Sequence, residues 1–123
     1  MKNEEHQLQV EIVKLLHYKG YICFSIPNHG IRSPRLGAYY KAEGLLPGVA
    51  DLFILTQFTK GIFIEVKSAK GKQQETQKEF EANCKKHKYE YWLIKSIDEL
   101  ITKLNEYESI VNFNDYNFSR INI

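Results

Sequence analysis

The chain has 123 residues, enough for one domain with a real core and too few for two. Apolar residues make up 43% and charged residues 26%, a balance that argues against wholesale disorder. A formal charge of +2 excludes a polycation that holds nucleic acid by bulk charge, so any such binding has to come from local patches.

Taken in order, the chain predicts a helix over residues 3–19. Asn3 is its N-cap, Glu4 and Glu5 suit its positive end, and Gly20 suits its stop. Leu8, Ile12, Leu15 and Leu16 form the buried stripe; Glu5 projects within it and Glu11 nearer its edge. A strand over 21–26 closes on the turn-forming Pro27-Asn28-His29-Gly30. Ser33-Pro34 opens a short helix that ends at Gly44. Around it, Arg32, Arg35 and Lys41 interleave with Tyr39 and Tyr40, as a phosphate backbone with nearby bases requires; a solvated surface over packed tyrosines also fits.

Two apolar strands follow, over 51–56 and 62–68, joined by a turn around Thr59-Lys60-Gly61. A flexible basic loop carries Lys70 and Lys72, candidates for phosphate contact that solvation explains equally well. The next helix, 73–87, is thinly apolar (Phe80, Ala82 and Cys84) and turns Gln77 inward. The strand over 89–95 is apolar on both faces and so should be covered on both sides. Ser96 caps a last helix over 97–107. The expected division is a single domain over 1–107 and a tail over 108–123 without helical period, docked on its own domain or on a second subunit. The element order gives an α/β fold, a small mixed β-sheet sandwiched by helices.

Cys23 and Cys84 lie far apart with no CxxC pair and no histidine cluster, which argues against zinc and for reduced thiols. No run is long enough to span a membrane and the first residues are too polar for a signal peptide, so a cytoplasmic location is expected.

The chemistry concentrates in the paired strands. Side chains alternate along a strand, so Phe63, Glu65 and Lys67 share one face and Ile62, Ile64 and Val66 the other. Antiparallel pairing brings Asp51 to the Glu65–Lys67 end. Two carboxylates in an apolar sheet are costly unless paired or bound to a cation. Mg²⁺ takes such oxygens, here from Asp51, Glu65 and the Val66 backbone carbonyl, and would activate water against a phosphodiester. Lys67 would orient that water or hold a phosphate oxygen. The plainer reading is a Glu65–Lys67 ion pair, with Asp51 merely starting a strand.

An Asp, an apolar strand, then Glu-x-Lys in a second strand resembles the core of the PD-(D/E)xK nucleases. With PNHG at 27–30, AEGLLPGVADL at 42–52 and FIEVKSAKG at 63–71, the chain is similar to the VRR-NUC family among them. One departure is Ala50, where the family usually has Pro. The resemblance implies a restriction-endonuclease-like α-β-β-β-α-β core. It also implies a Mg²⁺- or Mn²⁺-dependent DNA endonuclease with no organic cofactor. Asp51, Glu65, Lys67 and Gln77 would be catalytic. Glu5, in an E-x-x-L-Q setting, would be a further metal ligand beside Asp51, Glu65 and the Val66 carbonyl, with Glu11 as the fallback. The loop holding Asn28 would lie near the site, and Asn28, Arg32, Arg35, Lys70 and Lys72 are the candidate DNA contacts. By analogy, single-domain members act on branched or junction DNA as homodimers in phage and bacterial replication, recombination or repair. A nucleic-acid-binding or assembly module that no longer cleaves is the alternative.

Overall fold

The computed structural model describes residues 2–27, 33–57 and 59–121, with the backbone alone for residue 2 and residues 113–121. Its elements are α1 (Lys2–Tyr18), β1 (Ile22–Ser25), α2 (Pro34–Ala42), β2 (Leu52–Leu55), β3 (Ile62–Val66), α3 (Glu75–Lys86), β4 (Glu90–Ile94) and α4 (Ile97–Ile121). The strands lie in one sheet in chain order. β1 pairs antiparallel with β2, and β2 with β3; β4 runs parallel to β3 because α3 carries the chain back between them. The α/β class and the mixed sheet agree with the sequence reading.

Strand alternation sorts the core. Leu52, Ile54, Ile62, Ile64, Val66, Trp92 and Ile94 turn to one face and bury against Ile12 and Leu16 of α1 and Leu100 and Leu104 of α4. Each fully buried Leu or Ile there stabilises the fold by about 1.5–3 kcal/mol. The other face is thinner: Phe63, Tyr91 and Leu93 pack with Ala50, Phe80 and Cys84 beneath α3. The Phe63 and Phe80 rings meet edge to face at 5.1 Å. Ala82 is exposed, not part of the α3 packing face. The expected full cover of β4 holds, with Tyr91, Trp92 and Ile94 all buried.

The last helix differs most from expectation. It does not stop near residue 107 but runs to Ile121. No Gly or Pro interrupts it, and Leu100, Leu104, Tyr107 and Val111 keep one helical stripe across the expected break. Tyr107 packs edge to face against Trp92, and Glu108 pairs with Lys19 at the end of α1. The start of the supposed tail is thus docked on its own domain. Among the described residues no helix is long and apolar enough to cross a membrane.

Gly48 fixes how α3 meets the sheet. Its φ is +84°, and a Cβ there would overlap the Thr76 carbonyl at the start of α3. Gly20 also has a positive φ, +89°, yet open space around it. Gly20→Ala should therefore cost only the left-handed penalty of about 1–2 kcal/mol. Gly48→Ala should cost clearly more, because backbone has to move. Urea unfolding of both variants checks this; equal losses would mean that the close approach does not matter.

Candidate functional site

β2 begins one residue after Asp51, which nevertheless is held by the strands on both sides. Its N–H donates to the Ile64 carbonyl (3.0 Å), and its carbonyl accepts from Ile26 N–H (2.8 Å). Its side chain then caps the neighbouring strand, Oδ2 accepting the Val66 N–H at 2.7 Å. In a strand the N–H and C=O of one residue leave on the same side. The Val66 carbonyl therefore projects toward Asp51, beyond the last β2–β3 pair, Leu52 with Ile64.

Glu65 lies two residues past Phe63 on the α3 face and is only 2% exposed. Gln77 meets it from α3. The Gln77 Oε1 accepts the Gln74 N–H at 2.8 Å, closing the first turn of the helix. That bond settles the amide orientation, and Nε2 donates to Glu65 Oε2 at 2.9 Å. Gly48, packed on the Thr76 backbone, holds the 48–51 loop against the same turn.

The other oxygen, Glu65 Oε1, is buried without a hydrogen-bond partner among the described residues. Its neighbour is the Asp51 carboxylate, close enough to share a hydrogen bond once one of the two carries a proton. Burial, chiefly, and then the Asp51 charge push the Glu65 carboxyl up to about 9; Lys67 opposes this and Glu5 adds to it. Once both are ionised, the buried Glu65 and half-buried Asp51 carboxylates repel, and a hard cation relieves that repulsion, so the residues present suit one.

These groups floor a cleft of about 1020 Å³. Asp51, Glu65, Val66 and Lys67 lie at its base; Gly48, Val49, Gln74, Thr76 and Gln77 line one side; α1 lines the other. Lys67 is 9% exposed. Glu5 reaches the same cleft from α1, where its Oε1 accepts a long bond, 3.4 Å, from Ser68 N–H. Glu11 is exposed and does not line the cleft. Among the described residues no three Asp, Glu, His or Cys side chains are gathered closely enough to hold a metal, so Glu5 stands off from the Asp51–Glu65 pair.

The expected DNA contacts are more scattered. Arg35 is exposed on α2, a helix with no buried residue, while Lys70 and Lys72 are exposed on the loop before α3; none of the three lines the cleft. Tyr39 and Tyr40 pack on each other at 5.3 Å and stay solvent-facing, not buried under the basic side chains. Asn28 and Arg32 lie outside the described residues. Two features escaped the sequence reading. His6, Gln9 and Lys14 line the cleft beside Glu5, and only their helical spacing from Glu5 hints at it. Gln73 donates to Tyr91 Oη (3.1 Å) and Glu81 Oε1 (3.0 Å), tying the loop before α3 to β4. No spacing rule signals that pairing.

An α/β domain that brings Asp, Glu-x-Lys and Gln to one cleft belongs with the nuclease folds. The chain matches the VRR-NUC domain model over residues 3–98 and belongs to that nuclease family. A solved structure, a VRR_NUC domain protein, is similar at 21% identity with a TM-score of 0.68, covering 84% of this chain and 86% of that one. No curated protein matches. The family match ends at the start of α4, so nearly all of that helix lies beyond it.

The raised Glu65 carboxyl makes a stability prediction. Its folded value, about 9, lies above an ordinary unfolded value near 4.5, so the folded state binds the extra proton. Stability should fall as pH rises through that window. In EDTA, Glu65→Gln should remove the slope and stabilise the protein at pH 8 by roughly 1–3 kcal/mol. Urea unfolding at pH 5 and pH 8 measures it; a variant less stable than wild type at pH 8 would contradict the assignment.

Proposed function

We propose that the protein is a divalent-metal-dependent nuclease that hydrolyses phosphodiester bonds of DNA. The observation that carries this reading is the buried Oε1 of Glu65, which has no hydrogen-bond donor among the described residues, beside the Asp51 carboxylate. Asp51, Glu65 and the Val66 carbonyl would hold Mg²⁺ or Mn²⁺, with Glu5 reaching the ion directly or through water. The bound ion would supply a more acidic water and neutralise charge building on the phosphate.

The remaining work falls to side chains. Gln77 is a positioning residue: its bond to Oε2 aims the other Glu65 oxygen away from α3. Asp51 is oriented the same way by the Val66 N–H. Lys67, beside the pair at the cleft floor, holds a phosphate oxygen or orients the attacking water. Water adds to phosphorus, one P–O ester bond breaks, and the departing oxygen takes a proton. Arg35, Lys70 and Lys72 would meet phosphates outside the cleft, and Asn28 and Arg32 would be further DNA contacts. Selection by DNA structure, with a homodimer acting on branched DNA in phage or bacterial replication, recombination or repair, extends the reading by analogy. The presence of Asp51, Glu65, Lys67 and Gln77 together speaks against a silent binding module.

Labelled linear, flap and four-way DNAs, incubated with Mn²⁺, Mg²⁺ or EDTA, test the reading. Products should require metal, and Glu65→Ala and Lys67→Ala should each lower the rate by about 100-fold or more. Cleavage in EDTA, or undiminished in Glu65→Ala, would overturn it.

A further inference from the structure

α1 presents two stripes. Ile12 and Leu16 bury in the core, with Leu8 and Leu15 packed partly against it. One step around the helix, His6, Gln9, Val10, Val13 and Lys14 line the cleft. Their spacing is again helical, so one stripe of α1 forms a straight wall, while Glu4, Gln7 and Glu11 are exposed outside the cleft. At 1.5 Å per residue, that wall runs about 13 Å from Glu5 to Lys14.

Charge is unevenly placed along it. The Asp51–Glu65 pair and Lys67 line the cleft together with Glu5 near the start of α1, and Lys14 lies nine residues further along that helix. Between them His6 and Gln9 provide N–H donors; even a neutral imidazole keeps one. Val10 is 38% exposed at the cleft, an apolar side chain with room beside it. Gln74 and Thr76, which line the same cleft, are neutral groups that do not repel an anion. Donors and a cation strung along a groove, leading away from Glu5, suit an extended polyanion more than a compact ligand.

We propose that this stripe of α1 is a track for the DNA strand that adjoins the scissile phosphate. Lys14 and His6, about 12 Å apart along the helix, contact phosphates that are not neighbours, and Val10 and Val13 form a shelf between them for a sugar or base. At about 3.4 Å of helix axis per phosphate, a 13 Å wall serves roughly four nucleotides. The track rests on the nuclease reading for where the strand is cut, but its binding role is measurable without cleavage.

The test uses the full chain with a fluorescent single-stranded 20-mer in EDTA, read by anisotropy across a salt series. The variants are Lys14→Ala and Val10→Asp, both on the exposed side of α1, with Lys103→Ala of α4 as the charge-matched control. Lys14→Ala should weaken binding about tenfold and reduce the salt slope by about 0.7, one lost phosphate contact on a single strand. Val10→Asp should weaken binding too, and the control should match wild type. With metal present, Lys14→Ala should raise KM rather than lower kcat. Wild-type affinity and slope in both variants would overturn the track even if the protein cleaves DNA, as would a wild-type chain that does not bind the strand. Weakened binding by a protein that never cleaves would uphold the track and sink the nuclease reading instead.

Discussion

The cost of keeping Glu65 beside Asp51 inside the sheet governs the rest of this structure. Isolated, such a charge costs several kcal/mol to bury, and a second carboxylate makes it worse. Partial relief comes from three sides: the Gln77 amide on Oε2, the Lys67 charge, and the Val66 N–H that occupies Asp51. Among the described residues Oε1 accepts no hydrogen bond. A purely structural Glu65–Lys67 pair would leave no reason for Asp51 to share the site, or for an amide to hold one oxygen and leave the other bare.

The scaffold serves that arrangement at several points. Pairing with both β1 and β3 fixes the Asp51 backbone, while Gly48 lets α3 approach closely enough for Gln77 to reach Glu65. The same first turn of α3 orients the amide through the Gln74 N–H. α1 joins the two halves of the molecule, one stripe in the core with α4 and the next stripe along the cleft. Substitutions that shift α1 or α3 by a fraction of an ångström therefore reach the carboxylates without touching them.

Much of this was legible in the residues because the relevant signals are local. Period-two alternation separated Glu65 and Lys67 from Ile64 and Val66, and a short turn made the β2–β3 pairing antiparallel, which brought in Asp51. Gln77 was legible as an inward residue of α3, though its bond to Gln74 depends on where that helix starts. Other features depend on contacts distant in sequence. The extension of α4 was missed because Asn and aromatic residues obscured the stripe continuing through Tyr107 and Val111. Its support comes from Trp92 and Lys19, which no local pattern connects to it. The basic–aromatic cluster around α2 gave no sign that the helix would bury nothing, since burial depends on what else packs there. Helical projection already set Glu5 within the α1 stripe and Glu11 nearer its edge, but which of them lines the cleft depends on how α1 sits on the sheet.

Calorimetric titration of the metal-free protein with Mn²⁺ addresses the carboxylate pair most directly, because it needs neither DNA nor turnover. Binding to wild type with release of a proton, abolished in Glu65→Ala and Asp51→Ala, is the result this account predicts. An unchanged affinity in those variants, or no binding by wild type, would contradict it and leave the pair as a strained feature of the fold.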